Sequence, residues 1–320
     1  MAQITQSAFR PAWWLRNPHL QTLWPTFFRP RPELDLTPER LELPDGDFLD
    51  LAWTRPNGGP VVVVLHGLEG SLNSHYAGST LAALHRAGLH PVFMHLRGCS
   101  DEPNRLDRSY HSGASDDLAS VIDHITRTRG RPPEAAVGFS LGGNLLLKYL
   151  GERGEASPLQ AAVAISVPYQ LLACARRLDK GLSRLYRRHL VTRLQNSYLK
   201  KFRDRPAPLA VDPTRLDNFF DFDDRITAPL NGFAGAEDYY SRCSSRDFVQ
   251  HIHTPTLLLH ALDDPFMYPH TPPTADELGP GVTLELSRRG GHVGFVAGRF
   301  PGKGEYWLDE RISKYLISFL

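Results

Sequence analysis

Short apolar runs alternate with amphipathic stretches through most of the chain. The clearest run is Val61-Val62-Val63-Val64-Leu65, which is typical of a strand buried on both faces. Residues 113–128 place Leu118, Val121, Ile122 and Ile125 on one helical face. The predicted strands are 61–65, 91–94, 135–138 and 161–165, and the predicted helices between them are 75–87, 113–128 and 142–151. This alternation of strand and helix predicts a parallel, doubly wound sheet.

The alternation is interrupted near residue 168. From there to about residue 250 the pattern is helical and polar, and strands resume at 256–260 and 282–286. The chain then closes with a predicted helix over 305–319. We therefore expect one α/β domain over 37–320 that carries a helical insertion at about 168–250, which we call the lid insertion.

The residues before this domain follow a different pattern. Residues 1–36 form an N-terminal arm whose first 30 residues are rich in Trp, Phe and Pro. We expect the arm to be irregular and to pack its aromatic side chains against the domain. Two alternating segments around Asp45-Gly46 then predict a β-hairpin over 40–54.

The first candidate for chemistry is the G-x-S-x-G motif formed by residues 138–142. It lies between a predicted strand and a predicted helix, the context of a nucleophile elbow, so Ser140 is the candidate nucleophile. The Leu141 N–H at the start of the helix can stabilise an oxyanion, and the loop after the valine strand offers the Leu68 N–H as a second donor. The alternative is an ordinary glycine-rich turn with a capping serine.

A serine nucleophile needs a base, and the base needs an acid that orients it. On a fold with a nucleophile elbow the chain order is Ser, then Asp or Glu, then His. His292 follows Gly290-Gly291 in a loop after the last strand and is the candidate base. Asp264 precedes Pro265 after the strand at 256–260 and is the preferred acid, with Asp263 as the alternative.

Composition narrows the class of protein. With 320 residues, 41% hydrophobic and 22% charged, the chain can bury a core and is not disordered. A net charge of +1 gives no overall attraction to nucleic acid, and we expect none to bind. The three cysteines are far apart and show no CxxC spacing, which is compatible with a reducing compartment. Without a signal-peptide pattern or an apolar run of spanning length, we expect a cytoplasmic protein. Acyl transfer by a serine, a histidine and an aspartate requires no metal or organic cofactor, and we expect none.

One segment of the lid insertion is strongly basic. Residues 176–205 contain eleven Lys and Arg against two Asp, a local charge of +9. Apolar side chains recur there about every four residues, namely Leu182, Leu185, Tyr186, Leu190, Leu194, Tyr198 and Phe202. This pattern predicts a lid that packs its apolar stripe on the domain and exposes a basic face. A sharper hypothesis is that the basic face contacts anionic lipid.

Several motifs in order make the sequence similar to the YheT group of the α/β-hydrolase-4 family. The resemblance spans nearly the whole chain and rests on NPHLQTLWP at 17–25, HGLEGS at 66–71, HLRGCS at 95–100, GFSLGGN at 138–144, ALDDPF at 261–266 and GGHVGF at 290–295. It implies the α/β-hydrolase fold and an enzyme that hydrolyses carboxylic esters or acylglycerols; some eukaryotic relatives transfer acyl groups to alcohols. By the resemblance, the catalytic triad corresponds to Ser140, Asp264 and His292.

The function predicted from the sequence is hydrolysis of a small-molecule acyl ester through an acyl-enzyme on Ser140, as in a carboxylesterase or an acylglycerol lipase. Two alternatives remain open. One is an acyltransferase or thioesterase with the same triad, and the other is a non-catalytic binding module on the same fold.

Overall fold

A nine-stranded sheet forms the centre of the computed structural model, which describes residues 3–320. Its strands are β1 (Gln3–Gln6), β2 (Leu36–Glu42), β3 (Phe48–Thr54), β4 (Val61–Leu65), β5 (His90–Met94), β6 (Ala135–Phe139), β7 (Ala161–Ile165), β8 (Thr256–Ala261) and β9 (Val282–Ser287). They lie in the order β1-β9-β8-β7-β6-β4-β5-β3-β2. All neighbours are parallel except β5 with β3 and β3 with β2. The predicted doubly wound, mostly parallel sheet is therefore confirmed.

Both faces of the sheet are covered, which explains the continuous apolar runs. Eleven α-helices are present in residues 3–320: α1 (Pro18–Phe28), α2 (Ala77–Arg86), α3 (Ser115–Arg129), α4 (Leu141–Arg153), α5 (Leu171–Leu178), α6 (Ser183–Lys201), α7 (Phe219–Phe222), α8 (Ala228–Leu230), α9 (Ala236–Cys243), α10 (Arg246–Val249) and α11 (Trp307–Ile317). Val61 and Val63 pack with residues of α3 and α4, whereas Val62 and Val64 pack with residues of α2 and α11. Alternate residues of β4 thus enter opposite cores, and none can be polar without loss of stability.

The lid insertion contains helices α5 to α10, a 3₁₀ turn at Pro213–Arg215 and a π-helical turn. Residues Asp223–Thr227 form a π-helical turn between α7 and α8. Helix α6 buries Val191 and Tyr198 and half-buries Tyr186, Leu190 and Leu194, so most of the predicted apolar stripe packs inward. The first turn differs, because the side chains of Leu182 and Leu185 are 63% and 68% exposed. In the part of the chain that is described, no helix has both the length and the apolar character needed to cross a bilayer.

The expectation of an irregular N-terminal arm is wrong. Residues Gln3–Gln6 extend the sheet as a parallel edge strand beside β9, and Pro18–Phe28 form helix α1. Asn17 caps this helix by accepting hydrogen bonds from the His19 and Leu20 N–H groups, and Pro18 occupies its first turn. A four-residue edge strand has no periodicity long enough to detect in sequence, since its stability comes from pairing with a strand some 280 positions away.

The expected packing of the arm's aromatic side chains holds for some residues and not for others. Phe9 is buried against Phe295 and Trp307, and Trp14 packs edge-on against Trp24. Trp13, Phe27 and Phe28 are exposed. The short strands β10 (Val296–Ala297) and β11 (Glu305–Tyr306) form a small antiparallel pair beside the arm.

Candidate active site

Ser140 occupies the sharp turn between β6 and α4. Its backbone has φ 51° and ψ −116°, a conformation that costs a residue with a Cβ on the order of 1–3 kcal/mol. The Ser140 N–H donates to the Ile165 carbonyl of β7, so the turn is tied to the neighbouring strand. This geometry lifts the serine side chain out of the end of the sheet, as an elbow requires.

Two glycines make this turn possible by allowing close backbone approach. A Cβ on Gly142 would lie 2.4 Å from the His66 carbonyl oxygen, and a Cβ on Gly138 would lie 2.5 Å from the Gly142 carbonyl oxygen. Both neighbours are main-chain atoms that cannot move aside without displacing β4 or α4. The glycines of the motif are therefore dictated by packing at the elbow.

The structure brings Ser140, His292 and Asp264 together from three separate loops. His292 Nε2 lies 3.0 Å from Ser140 Oγ, and His292 Nδ1 lies 2.8 Å from Asp264 Oδ2. Asp264 and His292 are buried, and Ser140 is half-buried. The Phe266 ring stacks on the imidazole with the ring centroids 4.0 Å apart and the planes 7° from parallel, which restricts rotation of the ring.

The two adjacent aspartates have different partners. Asp264 Oδ1 accepts the Phe266 N–H at 2.8 Å while Oδ2 faces His292. Asp263 instead accepts the Gly291 N–H at 3.0 Å, and burial raises the pKa of its carboxyl group. Asp264 thus contacts the imidazole, whereas Asp263 anchors the loop that carries it.

The two expected oxyanion donors come from two different segments of the chain near Ser140. Leu141 begins α4, and Leu68 lies in the loop after β4. A Cβ on Gly67 would be 3.2 Å from Ser140 Cβ, so this loop passes directly beside the serine. Neither the Leu68 N–H nor the Leu141 N–H donates to another group within residues 3–320. Both amides are free to bind an added oxygen atom.

Glu69 holds the Leu68 loop in place through hydrogen bonds from its neighbours. Its backbone has φ 52°, and its carboxylate accepts hydrogen bonds from the Tyr110 and Ser197 hydroxyls. The Glu69 N–H also donates to the Tyr110 oxygen at 2.8 Å, and Arg193 donates to the Glu69 carbonyl. Because Ser197 and Arg193 belong to α6, the lid insertion fixes the loop that carries the Leu68 amide.

A cavity of about 300 Å³ opens beside Ser140 and His292. One part of its wall is apolar and comes mostly from the lid insertion, including Leu171, Leu178, Leu194, Phe219, Phe222 and Ile226. Another part is polar and includes Ser100, Asn104 and Lys201. The site can therefore enclose a mainly apolar molecule next to the serine.

Sequence reasoning missed several residues that hold the His292 loop. The His292 N–H donates to Thr22 Oγ1 of α1, and the Val293 N–H donates to Ser166 Oγ. The NPHLQT motif marks Thr22 as a residue of interest in the sequence. The contact between Thr22 and His292, 270 positions away, cannot be predicted from the sequence. Within residues 3–320, no group of three or more His, Cys, Asp or Glu side chains is arranged to hold a metal ion.

Comparison with known proteins is consistent with this geometry. The family model described as "alpha/beta hydrolase fold" matches residues 60–298. YheT of Escherichia coli is 42% identical over the whole of this chain and 98% of its own length. "Phospholipase ABHD3" of Bos taurus is 30% identical over 98% of this chain and 79% of its own.

A solved structure gives the fold independently. The esterase Pf2001 of Pyrococcus furiosus superimposes with a TM-score of 0.57 at 17% identity, covering 89% of this chain and 93% of its own. At this identity the likeness concerns the fold alone, and it agrees with the α/β-hydrolase fold implied by the sequence motifs.

Buried neutral histidines make the stability of this protein sensitive to mild acid. His66 accepts the Leu96 N–H on Nε2 and donates from Nδ1 to the Gly67 carbonyl, so it is held neutral. Burial lowers the pKa of four histidines to about 3 or 4, namely His66, His75, His111 and His260. Unfolded histidines have a pKa of about 6.5, so the unfolded chain binds more protons below that pH.

We predict that the free energy of unfolding is highest above pH 6.5 and falls as the pH decreases towards 4. Each such histidine contributes up to about 1.4 kcal/mol per pH unit. Urea unfolding between pH 7.5 and 5 measures the slope. His260→Leu, which removes a histidine with no hydrogen-bond partner in residues 3–320, should reduce it, and the exposed His189→Leu should not. An unchanged slope in His260→Leu would contradict this assignment.

Proposed function

The chain belongs to the alpha/beta hydrolase family, and from this premise we propose that it is a serine hydrolase that cleaves carboxylic acyl esters through an acyl-enzyme on Ser140. The observation that carries the proposal is the 3.0 Å contact of Ser140 Oγ with His292 Nε2, whose Nδ1 lies 2.8 Å from Asp264. A nucleophile, a base and an orienting acid in hydrogen-bonding sequence are the parts that acyl transfer requires.

In the first half of the reaction, Ser140 Oγ attacks the ester carbonyl carbon while His292 Nε2 takes the hydroxyl proton. Asp264 accepts the Nδ1–H, keeps the imidazole in the required tautomer and stabilises the imidazolium. The Leu68 and Leu141 N–H groups donate to the oxyanion, whose charge develops between them. His292 then protonates the leaving alcohol, the carbon–oxygen bond breaks, and the acyl group remains on Ser140.

In the second half, a water molecule replaces the alcohol. His292 takes one proton from it, and the oxygen attacks the acyl carbon to give a second oxyanion bound by the same two amides. Collapse of this intermediate returns the proton to Ser140 Oγ and releases the carboxylic acid. Every step uses groups of this chain and water.

The substrate class follows from the cavity. A mostly apolar wall beside the serine favours the acyl chain of a carboxylic ester or an acylglycerol, because burial of each CH₂ contributes about 0.8 kcal/mol. The bovine relative is named as a phospholipase, which also supports a lipid ester as the substrate. We propose a carboxylesterase or acylglycerol lipase.

We also propose that the basic face of the lid insertion contacts anionic lipid. Arg184 and Arg188 are exposed on the first turns of α6, next to the exposed side chains of Leu182 and Leu185. This pairing of cationic and apolar groups suits an anionic membrane interface. Arg187 is less available, because it forms an ion pair with Asp179 at 2.8 Å.

Ser140→Ala should abolish ester hydrolysis and leave the fold intact, since loss of a catalytic serine costs on the order of 10⁴–10⁶ in rate. The measurements are p-nitrophenyl ester hydrolysis, labelling by a fluorophosphonate probe, and a melting curve. Ser120→Ala on α3 is the matched control and should keep both activity and labelling.

Activity near that of the wild type in a clean Ser140→Ala preparation would overturn the nucleophile assignment. A wild-type protein that neither hydrolyses esters nor takes the label would favour the binding module instead. Product partition between acid and a new ester, with an alcohol added, separates hydrolysis from acyl transfer.

Asp264→Asn should lower kcat by several orders of magnitude, because an amide favours the wrong tautomer of His292. Asp263→Asn should have a much smaller effect, since the amide oxygen can still accept the Gly291 N–H. Steady-state kinetics of both variants on one ester test this difference. If Asp263→Asn is slower by tenfold or more, the two roles must be exchanged.

Binding to phosphatidylglycerol-containing vesicles should rise with the anionic fraction and fall steeply with salt. The double variant Arg184→Gln/Arg188→Gln should weaken partitioning by tenfold or more, at about 1 kcal/mol per side chain. Arg55→Gln/Arg127→Gln, two exposed arginines outside the lid insertion, is the control in co-sedimentation. Equal, salt-insensitive binding to neutral and anionic vesicles, or none, would remove the proposal.

A further inference from the structure

The geometry points to helix α1 as the element that positions His292, with Thr22 and Gln21 as the positioning residues. This inference rests on the proposed function, because it assigns to the N-terminal helix a role in orienting the general base. It gives the NPHLQT motif a physical purpose that neither its composition nor its place in the chain reveals.

Thr22 holds the backbone of His292 itself. Its hydroxyl donates to the Pro18 carbonyl at 2.8 Å, and its oxygen accepts the His292 N–H at 2.9 Å. A hydroxyl has one proton, and since that proton is directed at Pro18, a lone pair is left for His292. The Thr22 hydroxyl is thus held in an orientation in which it can only accept a hydrogen bond from the His292 N–H.

Gln21 fastens α1 to the far side of the same loop. Its side chain is fully buried, and its amide nitrogen donates to the Leu15 and Val296 carbonyls at 2.8 and 2.9 Å. Its amide oxygen accepts the Val296 N–H at 2.7 Å. All three side-chain hydrogen bonds are therefore satisfied inside the protein, and two of them join α1 to the strand that follows His292.

The loop between these two anchors is strained and closely packed against α1. Positive φ angles occur at three positions of this loop. Gly291 has φ 61°, which glycine adopts freely. Val293 and Phe295 have φ 55° and 44°, and such conformations persist in residues with a Cβ only when surrounding contacts impose them. A Cβ on Gly294 would lie 2.3 Å from the Gln21 carbonyl oxygen. The glycine-rich sequence around His292 thus admits α1, and α1 in turn imposes the loop conformation.

A second contact path leads from α1 to the face of the imidazole. His19 Nδ1 lies 3.1 Å from the Tyr186 hydroxyl of α6, and the Tyr186 ring packs on Phe266 with centroids 5.0 Å apart. Phe266 is the ring that stacks on His292. Helix α1 therefore supports His292 in two ways. It binds the His292 backbone directly, and it contacts the His292 ring indirectly, through Tyr186 of the lid insertion and Phe266.

Thr22→Val is the direct test, because valine has the shape of threonine and lacks the acceptor. We expect kcat per active site to fall by about 10- to 100-fold with KM within twofold, as misplacement of a catalytic group by about 1 Å produces. Fluorophosphonate labelling to completion counts the active sites. Thr22→Ser should restore kcat to within threefold of wild type, and Thr26→Val, at an exposed position of the same helix, should match wild type.

The outcomes separate the possible failures. A Thr22→Val protein that melts at lower temperature yet keeps its kcat per labelled site would overturn the inference and leave Thr22 as a stability residue only. If Thr22→Val does not fold, Thr22→Ala removes the same acceptor without crowding and is judged by the same criterion. If Thr22→Ala also fails to fold, while Thr22→Ser folds with wild-type kcat, the positioning role is overturned and Thr22 has a folding role instead. A wild-type protein without esterase activity or labelling would instead refute the proposed function.

Discussion

The strained backbone of Ser140 is the constraint on which the rest of the site depends. A positive φ at a residue with a Cβ survives only because the sheet beneath it and helix α4 behind it are fixed. This turn requires glycine on both sides, where the elbow approaches β4 and the His66 carbonyl. It also places the serine oxygen and the first amide of α4 on consecutive residues, so that the proposed nucleophile and one proposed oxyanion donor arise from one local feature.

The other residues of the site lie in loops at the carboxyl ends of the parallel strands. β4 supplies the Leu68 loop, β8 supplies Asp264, and the loop after β9 supplies His292. None of these loops is self-supporting. Glu69 depends on hydroxyls of Tyr110 and α6, and the His292 loop depends on Asp263 and α1. The lid insertion and the N-terminal arm, which lie outside the strand–helix alternation, therefore both form hydrogen bonds with the loops that carry the proposed reacting groups.

The arm shows most clearly why part of the fold could not be predicted. Helix α1 has only eleven residues, with Pro18 at its start and Pro25 inside it, so its composition resembles an irregular segment. Strand β1 has four residues, and β9 is its neighbour in the sheet. Such elements form because a partner distant in sequence offers hydrogen bonds and an apolar surface. The regular strands β4 to β9, by contrast, follow from their own patterns.

The sequence by itself determined the doubly wound sheet, the elbow motif, and the order of serine, aspartate and histidine along the chain. These features depend on periodicities and residue types within a few positions, which a single chain displays. Only the tertiary structure decided which aspartate contacts His292, what Glu69 and Thr22 bind, and which arginines of α6 remain exposed. Those outcomes depend on contacts between segments that lie 28 to 270 positions apart in the chain, and no local pattern encodes such contacts.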